Sequence, residues 1–85
     1  MEIIMLTTGN QLKAARALAA MDQGELARRA GVNINTISAM EKKGGDMLTS
    51  GLDKIRAVMT VLEQEGIEFL NHGQPGVRLV GKRGQ

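Results

Sequence analysis

The feature that most constrains this chain is a pair of short helix-forming segments separated by only three residues. Asp22, followed by a glutamate three residues later as in a capping box, is placed to cap a helix over 23–30. Asn33 is placed to cap a second helix over 34–42, and a glycine between the two permits the chain to reverse. Because so short a connection prevents the helices from lying parallel, the second must project outward. Residues 22–42 are therefore predicted to form a helix-turn-helix.

The segments on both sides of this motif are also predicted to be helical. Thr8 is placed to cap an alanine-rich helix over 9–20. Ser50, with an aspartate three residues later, is placed to cap a helix over 51–65 in which apolar residues recur at helical spacing. Gly66 suits the end of that helix because glycine adopts a positive φ at little cost.

The pattern changes after this glycine. Two short β-type runs, 67–70 and 77–80, are separated by turn-forming residues and predict a hairpin in which Glu68 and Arg78 are cross-strand neighbours. Residues 3–6 are a third possible strand. An isolated hairpin is marginal in water, so these strands must pack on the helices, pair with each other, or pair with a second subunit.

Pairing across a two-fold axis would close the strand edges that the hairpin otherwise leaves open, and proteins generally cover or pair such edges. It would also fix the distance between two projecting helices. We therefore expect a homodimer whose interface is formed by apolar hairpin residues, namely Ile67, Phe69, Val77 and Leu79.

Charge is distributed unevenly along the chain. Residues 10–56 carry eight lysines and arginines against five acidic residues, whereas residues 57–76 carry three glutamates and no lysine or arginine. Lys82 and Arg83 belong to a basic tail, 81–85, which is either disordered or an extra phosphate-binding arm. A basic body and a basic tail suit a polyanionic partner such as nucleic acid.

The projecting helix is expected to present a short, polar and nearly uncharged face, which suits hydrogen bonding to base edges in a DNA groove. That face comprises Asn33, Asn35, Thr36 and Ser38, with Ile34 at its leading edge. Asn35 can pair with adenine, and Ile34 can contact the methyl group of thymine. The flanking donors expected to bind phosphates are Gln23, Thr36, Lys42 and Lys43. Arg28 and Arg29 either contact phosphate or solvate a helix face, and we assign Arg28 to phosphate.

The motif resembles the helix-turn-helix of the lambda-repressor/Cro family of regulators, often called the XRE type. The match keeps residue type and spacing at Gln23, Glu25, Leu26, Ala27, Gly31, Val32, Asn33, Ile37 and Glu41, and it covers about residues 9–62. The resemblance implies that the third helix reads the major groove and that dimers bind pseudo-palindromic operators. It places base reading on Asn33, Ile34, Asn35 and Ser38, and phosphate contacts on Gln23 and Thr36. It also implies a structural ion pair between Arg16 and Glu41.

The expected fold is therefore mainly α, a single domain over 1–85. A four-helix Cro/repressor-like body over 8–65 is followed by a β-hairpin over 67–80, which the N-terminal strand can join.

Three departures from the family pattern stand out. Gly24 replaces a residue that is usually a better helix former, and Ile34 replaces a residue that is often polar. The usual fifth helix is replaced by the predicted hairpin, so the dimer interface cannot be copied from the family.

The expected function is that of a sequence-specific transcriptional regulator, acting as a repressor on double-stranded DNA. The alternative is a protein-interaction module, such as an antitoxin or accessory regulator, with autoregulatory DNA binding. An enzyme is not expected, because the sequence holds no nucleophile–base constellation, phosphate loop or metal-ligand spacing. There is no cysteine, and the single histidine, His72, lies in the predicted turn, so neither a metal nor a cofactor is expected. The sequence shows no signal peptide or membrane-length apolar segment, and we expect a cytoplasmic protein from a bacterial, phage or mobile-element context.

Overall fold

The computed structural model of this chain describes residues 6–70 and 75–81. Helices and strands follow in the order α1 Gly9–Leu18, α2 Gln23–Ala30, α3 Ile34–Lys42, α4 Leu52–Gln64, β1 Ile67–Leu70 and β2 Gly76–Leu79. The mainly helical layout with a C-terminal antiparallel pair confirms the coarse prediction. The predicted His72 turn, the tail with Lys82 and Arg83, and most of the predicted N-terminal strand lie outside the described residues.

Side-chain caps start the first three helices as predicted. The Thr8 hydroxyl accepts from the Gln11 backbone N–H, and the Gln11 side chain accepts from the Thr8 backbone in return, so α1 begins with a full capping box. The Asp22 carboxylate accepts from the backbone N–H of Glu25 at the start of α2. Asn33 caps α3 in the same way, and each cap satisfies a backbone donor that the helix itself cannot.

The start of α4 differs from the prediction. Gly51, not Ser50, is the N-cap residue, and no side chain caps this helix. The helix consequently begins at Leu52, whose side chain is exposed. At its other end, Gly66 adopts the expected positive φ of 91° and turns the chain into β1.

The hairpin has the predicted register, although β2 begins and ends one residue earlier than expected. Glu68 lies opposite Arg78, and the two side chains form an ion pair. Phe69 lies opposite Val77 in the same ladder. Of the predicted strand 3–6, only Leu6 is described; it is buried and does not lie in a strand.

The core lies between the helices and one face of the hairpin. Its fully buried large side chains are Leu6, Leu12, Leu26, Ile37, Met40, Val58, Leu62, Ile67 and Phe69. Ile67 and Phe69 are each only 1% exposed, so their side chains pack inside their own chain and offer no surface to a partner. This corrects the prediction that they contribute side chains to a dimer interface: alternation along β1 directs both toward the helices.

One buried side chain joins the hairpin to the helical body. The Gln11 Oε1 accepts from the backbone N–H groups of Thr7 and Thr8 at 2.9 and 3.0 Å. Its Nε2 donates to the carbonyl oxygens of Leu70 and Gly76, both at 3.2 Å, at the two ends of the hairpin loop. Because Gln11 is almost fully buried, losing these bonds would leave polar groups unsatisfied. Within the described residues, no helix is both long and apolar enough to cross a lipid bilayer.

Candidate nucleic-acid interface

The joint between α2 and α3 is tight. Gly31 ends α2 in the left-handed conformation, with φ 70° and ψ 30°. The Val32 N–H then donates to the Ala27 carbonyl at 3.0 Å, which folds the turn back onto α2. Ala27 is buried at the joint, where a larger side chain would separate the helices. The result is a helix-turn-helix arrangement in which α3 packs on α1 and α2 by one face only.

That packing determines which side of α3 is open. Ile37 and Met40 point into the core, whereas Asn33, Ile34 and Asn35 are exposed around the first turn. Ile34 is 48% exposed and has polar neighbours on both sides in the sequence. The exposed first turn therefore contains three of the four predicted base-reading residues, and the fourth, Ser38, is half-buried one turn further on.

The two asparagines of this turn are not equivalent. The Asn33 Oδ1 accepts from the Asn35 backbone N–H at 2.8 Å, because it caps the helix. This bond occupies one lone pair of Oδ1 and fixes the side chain, whose amide N–H₂ group can still donate to a ligand. The exposed Asn35 side chain has an amide that can both donate and accept, as bidentate pairing with adenine requires.

A charged network holds the opposite end of α3. Arg16 Nε and Nη2 donate to the two oxygens of Glu41 at 2.7 and 3.0 Å, a bidentate pair between α1 and α3. The Glu41 side chain is 7% exposed and that of Arg16 21%. Burial alone would raise the pKa of Glu41, but hydrogen bonds from Arg16 and Gln23 and the charge of Arg16 outweigh it, so this pKa lies below its ordinary value. The predicted ion pair is thus present.

Gln23 takes part in this network. Its Nε2 donates to Glu41 Oε1 at 3.1 Å, and the side chain is half-buried. The structure thus gives Gln23 an intramolecular contact that the sequence analysis did not anticipate. This contact ties the first residue of α2 to the last turn of α3, so Gln23 orients the two helices whether or not it also reaches a phosphate.

The predicted phosphate-binding residues occupy different surroundings. Lys42, Lys43 and Arg28 are exposed, while Thr36 lies half-buried beside the start of α4. Arg29, in contrast, contacts the carboxylates of Glu65 and Glu25 at 3.2 and 3.7 Å, so it links α2 to the end of α4. The Arg29 ion pairs were not predicted, and the assignment of Arg28 to phosphate stays a prediction.

A cleft between α3 and the start of α4 adds a residue that the sequence analysis missed. Lys54, in the first turn of α4, lines it together with Asn35 and Thr36. Its exposed ammonium group can reach an anion lying along this cleft. No local pattern marks Lys54, because its closeness to α3 depends on how α4 packs.

Gly9 is a second missed residue. A Cβ atom at this position would collide with the carbonyl oxygen of Met40, so only glycine lets α1 begin so close to the end of α3. The neighbouring Asn10 N–H donates to the Gly44 carbonyl at 2.8 Å. These contacts fix the turn after α3, which begins at Lys43.

No known protein-family model matches the chain, and no curated protein matches it either. Across 6–70 and 75–81, no three His, Cys, Asp or Glu side chains come together in a group that could hold a metal ion.

Proposed function

We propose that the chain is a sequence-specific double-stranded DNA-binding regulator of the lambda-repressor/Cro type, acting as a repressor in the cytoplasm of a bacterium and encoded by the bacterium, a phage or a mobile element. One observation carries the proposal. The first turn of α3 exposes Asn33, Ile34 and Asn35, while a short joint to α2 and a bidentate ion pair to α1 hold the helix in place. A rigid helix with an exposed amide-bearing end fits the major groove, where each base pair presents a distinct pattern of donors and acceptors.

In this function the two ends of α3 have different roles. Asn35 pairs with adenine, Asn33 donates to a base acceptor, and Ser38 contacts the next base along the groove. Exposed Lys42 and Lys43 bind phosphates at the other end of the helix and set the register on the duplex. Arg28 and Thr36 contribute phosphate contacts on the flanks. Affinity then depends on these contacts and on salt, whereas sequence preference depends on the first turn.

Within residues 6–70 and 75–81, no strand pairs with the outer edge of β2, and this favours a homodimer. The Val80 N–H donates to the Gly66 carbonyl at 2.7 Å, which makes these two residues a hydrogen-bonded pair of the ladder. Because bonded and non-bonded pairs alternate, the backbone groups of Val77 and Leu79 point away from β1. Leu79 is also 50% exposed. A second copy pairing with this edge would satisfy these groups and bury that side chain.

The proposed dimer interface therefore contains two of the four residues predicted from the sequence. It uses Val77 and Leu79, whereas Ile67 and Phe69 lie in the core. A two-fold axis at this edge would present two copies of α3 to successive major grooves, about one helical turn of DNA apart. Occupancy of such an operator blocks transcription without any further domain. Sedimentation that shows a monomer at tens of micromolar for wild type would contradict the dimer, and Leu79→Lys is the variant expected to give a monomer.

The proposal is tested by selecting bound sequences from a random DNA pool and measuring affinity for the selected site at several salt concentrations. Asn35→Ala is expected to weaken the selected site by about 1–3 kcal/mol and to leave non-specific binding unchanged. Lys43→Ala, the matched control at the opposite end of α3, is expected to weaken all sequences alike and to lower the salt dependence. Equal affinity for every sequence across the salt range would refute sequence-specific recognition.

A protein-interaction module remains the second candidate, and the exposed apolar end of the hairpin favours it. Leu79 is 50% exposed and Val80 is 58% exposed. A strand of another protein could pair with this edge of β2 as well as a second copy of the chain could. Purification from the native host distinguishes the two: a stoichiometric, different partner bound through the β2 edge supports this candidate, and a homodimer supports the first.

A further inference from the structure

The two residues at which the helix-turn-helix departs most clearly from its family pattern are neighbours in the structure. Gly24 lies in the first turn of α2, and Ile34 is the first residue of α3. A Cβ atom placed at Gly24 would lie 3.8 Å from Ile34 Cδ1 and 3.4 Å from Asp22 Oδ1. The Ile34 side chain therefore reaches back toward the first turn of α2, and the absence of a side chain at Gly24 leaves that flank of Ile34 uncovered.

This small apolar surface is set among polar groups. Ile34 stands between Asn33 and Asn35, both exposed, and 48% of its surface is open to solvent. Its side chain can neither donate nor accept a hydrogen bond, so it cannot read the donor and acceptor pattern of a base pair. Among the groups that base pairs present in the major groove, the apolar one is the methyl group of thymine.

We propose that Gly24 and Ile34 act together as one apolar recognition site for the methyl group of a thymine in each half-site. Ile34 contacts the methyl group, and Gly24 is a positioning residue that keeps the flank of Ile34 open. This inference rests on the proposed DNA-binding function and adds the identity of one base to it. Removing the methyl group is expected to lower affinity about fourfold per half-site, the factor that burial of one methyl group contributes.

The test uses deoxyuridine, which differs from thymidine only by that methyl group. Each thymine of the selected operator is replaced in turn, in both half-sites, and the dissociation constant of the full-length protein is measured at one salt concentration. We expect one thymine position whose replacement weakens wild-type binding about fourfold for each half-site. The same replacement is expected to have no effect on Ile34→Ala, because the contact is already lost.

Gly24 is tested with a matched pair of substitutions. Gly24→Ala adds a methyl group in ordinary van der Waals contact with Ile34, so the deoxyuridine effect should persist. Gly24→Gln adds a long polar side chain that would cover the flank of Ile34. Replacing the thymine by deoxyuridine should then cause little or no loss of affinity. Asn35→Ala is the control for base reading in general: it should weaken binding but retain the deoxyuridine effect at the Ile34 position.

Two results would overturn the inference while leaving the proposed function intact. One is a selected operator in which no deoxyuridine replacement weakens binding. The other is a sensitive thymine whose effect is the same size in Ile34→Ala as in wild type. Failure to select any sequence at all would instead refute the proposed function, so the two failures are distinguishable.

Discussion

The Arg16–Glu41 pair allows a quantitative prediction about how α3 is held. Arg16→Ala would remove both donors of the bidentate bond and leave the Glu41 carboxylate, 7% exposed, with the hydrogen bond from the Gln23 amide. Breaking a fully buried pair in this way costs about 3–5 kcal/mol. Arg16 is 21% exposed, and water can enter the space it vacates, so we expect a loss of about 2–3 kcal/mol. That is a large share of the roughly 5–10 kcal/mol expected for a chain of this length.

The measurement is urea unfolding followed by far-ultraviolet circular dichroism, because the chain has no tryptophan or tyrosine for fluorescence. With an m-value of about 1 kcal/mol per molar urea, the midpoint should fall by about 2–3 M. All variants are compared at one protein concentration, since association shifts apparent stability. Arg28→Ala is the matched control: this arginine is exposed on α2, and its loss should change stability by less than about 0.5 kcal/mol.

A double-mutant cycle with Glu41→Ala separates the pair from the rest of each side chain. The sum of the two single losses in unfolding free energy should exceed the loss in the double variant. The difference, which is the coupling energy of the pair, should be above about 1 kcal/mol. The reasoning would be refuted if Arg16→Ala were indistinguishable from Arg28→Ala, or if the two losses added within about 0.5 kcal/mol. Either outcome would mean that α3 is held by its apolar contacts alone.

Three further predictions follow from the described geometry. The pKa of Glu41 is lower in the folded chain than in the unfolded one, so the ionised carboxylate stabilises the fold at pH values above the ordinary glutamate pKa. This contribution is lost as the pH falls through the lowered pKa of the folded chain, and acidification should therefore reduce the free energy of unfolding more for wild type than for Glu41→Gln. Gly66→Ala should destabilise by more than about 2 kcal/mol in urea unfolding, because φ is 91° and a Cβ would collide with Gly81. Gly24→Ala, where φ is not positive and no close contact arises, should raise the melting temperature through a gain of up to about 1 kcal/mol.

The local part of the fold could be predicted because local rules fix it. Thr8, Asp22 and Asn33 cap their helices through contacts that span two or three residues, and such contacts are visible as sequence spacing. Gly31 and Gly66 end helices at positions where the chain must adopt a positive φ. Ser50 shows the limit of the rule: its spacing to Asp53 is right for a cap, but the loop before α4 places Gly51 at the cap position instead.

What could not be predicted depends on contacts between distant segments. Gln11 is separated by 59 and 65 residues from the two carbonyl groups to which it donates. The collision that requires Gly9 involves the far end of α3, and nothing in the sequence around Gly9 indicates it. The burial of Ile67 and Phe69 was missed for the same reason, because an alternating strand pattern does not reveal whether its apolar face meets its own chain or another.

These long-range contacts make the proposed dimer edge and the proposed reading helix parts of one rigid unit. β2 packs against α1, Gln11 ties the end of β1 and the start of β2 to the start of α1, and Arg16 ties α1 to α3. In a homodimer paired through β2, the strand register would therefore set the separation of the two copies of α3. Strands keep their side chains on the same face only when they slip by two residues, a shift of about 7 Å. That shift corresponds to about two base pairs, so one strand register would admit one operator spacing and exclude its neighbours.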